Sequence, residues 1–226
     1  MVLAAVACSS SGPANPEQDR GIEGEGEAIN APDTNPDGVP YPTDNLGTNP
    51  RQGDRPGNKM INYKFYGYPN GDRSQGLQPI SLANFFDPTG ERVRLIHLQA
   101  SGSWCIYCKE ETKAVTPLKA ELDSRKVVWV MSLAEGKIQG TPATSADLDA
   151  WIAQFKAPYT HVLDPGNKNF GPFYDAAALP WNADIDARTM EILSSGVGAT
   201  TDPKKILADL DRWLGKMADG SLPKPQ

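Results

Sequence analysis

The chain has 226 residues, with 22 Lys and Arg against 28 Asp and Glu for a formal charge of −6, and 39% apolar residues. That length suits one domain with an appendage, and no stretch nears the roughly 18 uninterrupted apolar residues of a membrane-spanning helix. Three cysteines are too few for a disulfide scaffold. Gly and Pro crowd into residues 9–58, where the only large apolar residues are Ile22, Ile29, Val39, Tyr41 and Leu46. So little apolar surface cannot offset the entropy of ordering, and the stretch reads as a disordered tether. Its nine acids against three arginines account for the whole formal charge; residues 59–226 balance at 19 of each sign. The folded part therefore carries no basic footprint for nucleic acid.

In chain order, the first twelve residues read MVLAAVACSSSG. A short apolar run ending in small residues and a cysteine resembles the end of a bacterial lipoprotein signal. The resemblance implies that residues 1–8 are the signal's end and that Cys8 is the lipidated residue. Residues 9–58 would then be the stalk of an envelope-bound, periplasm-facing or surface domain. A ragged start on a cytoplasmic protein is the alternative. Within the stalk, Asp33, Asn35, Asp37 and Asp44 match a calcium-loop spacing, but Pro36, Pro40 and Pro42 exclude the usual flanking helices, and a solvated spacer is the default reading.

From residue 59 the pattern alternates. Residues 62–66 suggest a short strand, residues 81–86 a helical turn, and residues 92–99 a strand with Val93, Leu95 and His97 on one face. Cys108, Thr112, Val115, Leu118 and Leu122 recur as one helix face over residues 105–122. Residues 127–132 form a continuous apolar run, expected of a central strand covered on both sides. Thr144 and Asp147 look like a capping pair for a helix burying Leu148, Trp151, Ile152 and Phe155. Residues 160–163 are strand-like, residues 170–174 irregular, and strands follow near residues 183–186 and 190–194. Asp202 and Pro203 open a last helix with Ile206, Leu207, Leu210, Trp213, Leu214 and Met217 on its apolar face. Strands alternating with helices make the class α/β.

The chemistry lies in Trp104-Cys105-Ile106-Tyr107-Cys108-Lys109. A cysteine that opens a helix sits over unpaired N–H groups, whose partial positive charge lowers its pKa below the free value of about 8.5. The second sulfur, one turn on, can close a disulfide with the first. Strand, Trp-Cys-x-x-Cys-Lys and helix together resemble the thioredoxin superfamily, and among its members the exported, membrane-tethered thiol–disulfide oxidoreductases of the TlpA/ResA kind, over roughly residues 60–217.

The resemblance implies a thioredoxin-like fold with a central mixed sheet flanked by helices, and a cis-proline at Pro180 against the active-site disulfide. It makes Trp104, Leu179 and Pro180 substrate-binding, with the Leu179 backbone pairing an extended substrate chain. His97 or Gln99 stands where many thioredoxins carry a buried acid, so proton transfer falls to His97, Glu111 or water. Cys105, exposed and thiolate-like, attacks; Cys108, more buried, resolves. The tethered relatives reduce, which makes reduction the expected direction. The expected partners are cysteine-containing envelope proteins and an upstream electron donor, with no nucleic acid, membrane contact through the anchor alone, and a monomeric chain. No cofactor is expected beyond the Cys105–Cys108 pair.

Other readings stay open. A zinc site needs about four ligands, and only His97 and His161 remain in the domain to join the cysteines. A partner-binding module without turnover is a further possibility. A thioredoxin-fold peroxidase would have Thr or Ser three residues before the reactive cysteine and Pro further upstream, where this chain has Gly102 and Leu98. His161 reads as structural.

Overall fold

The computed structural model describes residues 28–175 and 177–222. Seven strands form one mixed sheet: β1 (Lys64–Tyr68), β2 (Gln78–Ser81), β3 (Leu95–Gly102), β4 (Val127–Glu135), β5 (Thr160–Leu163), β6 (Trp181–Asp186) and β7 (Ile192–Val197), in the order β2-β1-β5-β4-β3-β6-β7. The central β5-β4-β3 strands are parallel and the outer pairs antiparallel. Among the described residues, four α-helices pack on it: α1 (Ile106–Val115), α2 (Lys119–Ser124), α3 (Ser145–Phe155) and α4 (Pro203–Ala218). The α/β class and the thioredoxin-like layering hold. β3 is buried on both faces: Ile96, Leu98 and Ala100 are wholly covered on one, while His97 and Gln99 face Trp129 and the β6 side chains on the other.

Several elements shift their bounds from the sequence expectation, and three of the differences have a clear local cause. The helix expected over residues 105–122 ends at Val115, gives one 3-10 turn over Thr116–Leu118, and restarts as α2. Pro117 causes the break, because it lacks an N–H and its ring crowds the carbonyl four residues back. β2 was not expected; it is four residues long, contains Pro79 and lies at the sheet's edge, where proline is tolerated. β3 starts later and runs further than residues 92–99. Residues 87–93 instead wrap the Asp87 carboxylate, which accepts from the Thr89 hydroxyl and from the N–H groups of Thr89, Gly90, Arg92 and Val93.

The larger correction concerns the stalk. Residues 28–58 lie on the domain. Tyr41 is buried and its hydroxyl donates to the Met60 carbonyl at 2.7 Å. Arg51 is buried in an ion pair with Glu191 at 2.6 Å, and Glu191 also accepts from the Gly57 N–H. Backbone bonds Arg51 N–H to Ile192 O, Ile192 N–H to Asn58 O and Met60 N–H to Met190 O add the segment to the β6–β7 turn. Composition misled because this segment uses polar groups to dock: Asp33, Asp37 and Asp44 pair with Lys64, Arg92 and Lys59 of the domain. The signal, Cys8 and residues 9–27 of the stalk lie outside the described residues.

Candidate active site

β3 delivers the reactive segment. Its Ala100 is in register with Trp181, so Pro180, just before β6, lies beside the end of β3. The chain leaves β3 at Gly102, where a Cβ would come within 2.9 Å of Trp104 Nε1 and 3.2 Å of Leu179 Cδ1. Glycine is needed there for the Trp104 and Leu179 side chains to close over the strand. Cys105 then takes the N-cap position of α1: its sulfur accepts from the Cys108 N–H at 3.1 Å. The Cys105 and Cys108 sulfurs are bonded, with Cα atoms 5.3 Å apart. The Leu179-Pro180 peptide is cis, and the Leu179 carbonyl oxygen lies 3.6 Å from Cys105 Sγ.

The expected exposure of Cys105 is corrected. Both cysteines are buried in the bonded form, because Cys105 Sγ is held between the α1 N–H groups and the Leu179 carbonyl. Ile106 and Tyr107 stand outside it, each 69% exposed. Trp104 is half-buried and donates its indole N–H to Glu135 at the end of β4, which also accepts from the Gly140 N–H. Leu179 and Pro180 are buried, so the accessible margin here is a rim of Trp104, Ile106 and Tyr107.

Behind the disulfide, Glu111 is one helical turn past Cys108 and shares its buried face of α1. Its carboxylate accepts from the Thr200 N–H at 2.7 Å and the Asn182 amide at 3.1 Å. Burial pushes this carboxyl above the usual carboxylate range, with the Thr200 N–H, the His97 charge and Asn182 pulling the other way. His97 sits between Asp184, 2.8 Å from Nδ1, and Asn182 Oδ1, 3.2 Å from Nε2, with the Trp129 ring stacked 3.7 Å away. Burial opposes a charge on His97, yet the hydrogen bond and charge of Asp184, with the Glu111 charge, raise its pKa above the ordinary value.

Sequence reasoning placed Cys105, Cys108, Trp104, Leu179 and Pro180 together, and the structure brings them together. It named His97 and Glu111 separately, and the structure joins them through Asn182. Asn182, Asp184, Thr200 and Glu135 were missed. Asn182 and Asp184 are two apart in a strand, so they share a face with His97 once the β3–β6 register is known. His161 is fully buried and donates from Nδ1 to the Tyr159 carbonyl. Of the calcium-spaced residues, Asp33, Asp37 and Asp44 are each taken by a cation, and Asn35 closes a turn on the N–H groups of Asp37 and Val39. Among the described residues, no three or more His, Cys, Asp or Glu side chains are grouped to hold a metal ion.

No protein-family model and no curated protein matches the chain. Solved structures do. One is a Chlorobium tepidum protein assigned as thiol:disulfide interchange protein DsbE, with TM-score 0.53 and 18% identity over 71% of this chain and 97% of that one. A second is a secreted thiol-disulfide isomerase from Corynebacterium glutamicum, with TM-score 0.53 and 13% identity over 70% and 87%. A third is AhpC of Enterococcus faecalis, with TM-score 0.56 and 12% identity over 75% and 98%. At these identities the likeness shows the fold alone: this chain has the thioredoxin fold.

Proposed function

We propose that the chain is a thiol–disulfide oxidoreductase that exchanges its Cys105–Cys108 pair with cysteines of envelope proteins, working as a reductant. The observation that carries this reading is a bonded cysteine pair at a helix N-terminus, with the Leu179 carbonyl beside the first sulfur. In the dithiol form, the Cys105 thiolate attacks a substrate disulfide, forms a Cys105–substrate bond and expels one substrate thiolate. Cys108, deprotonated, then attacks Cys105 Sγ; the internal disulfide closes and the second substrate thiolate leaves. Two electrons pass to the substrate, and each expelled thiolate takes a proton from solvent. An upstream dithiol returns the pair to its reduced form by the same steps.

Trp104, Ile106 and Tyr107 fit this role as an apolar rim for a polypeptide, while the Leu179 backbone supports edge pairing with an extended chain. The likeness to secreted exchange proteins supports an envelope location, with Cys8 as the lipid anchor of a monomeric protein. The test is trapping. Cys108→Ala leaves the mixed disulfide on Cys105, and mass spectrometry of the captured species from the source cell names the substrate. Capture of envelope cysteine proteins supports the reading, and a bare Cys105 overturns it.

The likeness to AhpC favours a second reading, peroxide reduction at Cys105. Gly102 in place of a hydroxyl residue near that sulfur leaves the peroxide one donor short. Consumption of hydrogen peroxide by the full chain with dithiothreitol would establish it.

A further inference from the structure

On the side of the disulfide away from the Ile106–Tyr107 rim, a cavity of about 280 Å³ runs between β6, β7 and α4. Glu111, Asn182, His97 and Asp184 line it, and Gly196 and Arg212 lie on its wall. The hydrogen-bond partners of His97 favour its charged form. The Asn182 amide nitrogen donates to the Gly198 carbonyl at 2.9 Å and to Glu111, so its oxygen is the atom that faces His97 Nε2. A carboxylate oxygen of Asp184 faces Nδ1. Both ring nitrogens face acceptors, the arrangement that suits a doubly protonated ring. Asp184 is itself committed, its other oxygen accepting from the Ser194 hydroxyl at 2.7 Å.

We propose that His97, held as a cation by Asp184, is a positioning residue that sets the proton affinity of Glu111, and that the rear cavity carries Glu111's proton to solvent. The inference rests on the exchange reading above and deepens it. Cys108 gives its proton to the Glu111 carboxylate before it attacks Cys105, and Glu111 gives that proton to water in the cavity. The front of the site is then free to be covered by a docked polypeptide while the proton leaves by the back. The other charged and titratable groups facing this cluster are Asp209 and Arg212 of α4, with Tyr159 near Glu111. Arg212 favours the ionised form of Asp184 and so reinforces the pair.

The test uses the reduced full chain and one equivalent of an aromatic disulfide that releases a coloured nitrothiobenzoate. The first release reports attack by Cys105 and the second reports attack by Cys108. Removing the His97 charge in His97→Gln raises the Glu111 pKa, so the pH midpoint of the second release moves upward by about one unit. The midpoint of the first release stays in place. Asp184→Asn, which keeps the side-chain shape, moves the second midpoint in the same direction. Gly196 is exposed and a Cβ there meets nothing within 4 Å, so Gly196→Leu is tolerated and narrows the cavity. It slows the second release several-fold at an unchanged midpoint. Unmoved midpoints in both charge variants overturn the positioning role, and an unslowed Gly196→Leu overturns the route. A wild-type chain that shows no second release contradicts the exchange reading itself, which separates the two failures.

Discussion

On one side of the Cys105–Cys108 bond the protein shows apolar side chains to water; on the other it holds mostly buried charged groups at the wall of a cavity. Ile106 and Tyr107 are largely exposed, which costs free energy unless a partner covers them. Glu111, His97 and Asp184 are mostly buried, which costs free energy unless each is hydrogen-bonded and paired, as they are. Each side thus holds what its surroundings disfavour. On the proposed reading, front residues govern association and rear residues govern proton transfer.

That division can be broken most sharply at the sulfurs. Cys105→Ser abolishes disulfide reduction, whereas Cys108→Ala retains capture of a single substrate without turnover; an insulin-reduction assay alongside non-reducing electrophoresis distinguishes them. Next in size is the rear. Glu111→Gln removes the base and slows the Cys108 step by on the order of 10- to 100-fold, with initial attack by Cys105 unchanged, as read by stopped-flow absorbance. The front comes third: Ile106→Ser combined with Tyr107→Ser raises KM for a protein disulfide by about 5-fold, the loss of roughly 1 kcal/mol of apolar contact, with kcat unchanged. Equal effects of the front and rear variants on KM would erase the distinction.

The smallest effect on exchange comes from His161, which lies on neither side. Burial lowers its pKa to about 4, and only its hydrogen bond to the Tyr159 carbonyl pulls the other way. Its folded-state pKa is below the unfolded value of about 6.5, so neutral His161 stabilises the fold above that pH, and the contribution is lost as pH falls toward 4. Thermal melts of wild type against His161→Gln should show His161 contributing a loss of about 3 kcal/mol across that window, against the opposite contribution of His97, whose pKa is raised. His161→Gln should flatten this loss and leave the pH dependence of Cys108's attack where it was.

Much of the fold was legible because its strands and helices carry one-dimensional signals. The Thr144–Asp147 capping box and the Asp202-Pro203 helix start form as the spacing indicates. Cys105 and Cys108 were legible for the same reason, since their chemistry depends on a spacing of three along one helix. What escaped were features fixed by pairing across the sheet. The Asn182 bridge between His97 and Glu111 needs the β3–β6 register, which no local pattern reveals. Residues 28–58 escaped because composition weighs apolar area, whereas this segment is held by a buried Arg51–Glu191 pair and by backbone bonds to Met190 and Ile192.

That docked segment also decides where a mechanical pull would be felt. Tension applied at residue 28 meets first the contacts of Pro32 and Asp33 with Asn62, Lys64 and Ser81, then the pairing of residues 51–60 with the β6–β7 turn, at the opposite end of β6 from Pro180. The contacts that a pull at residue 28 loads first therefore lie away from Cys105 and Cys108.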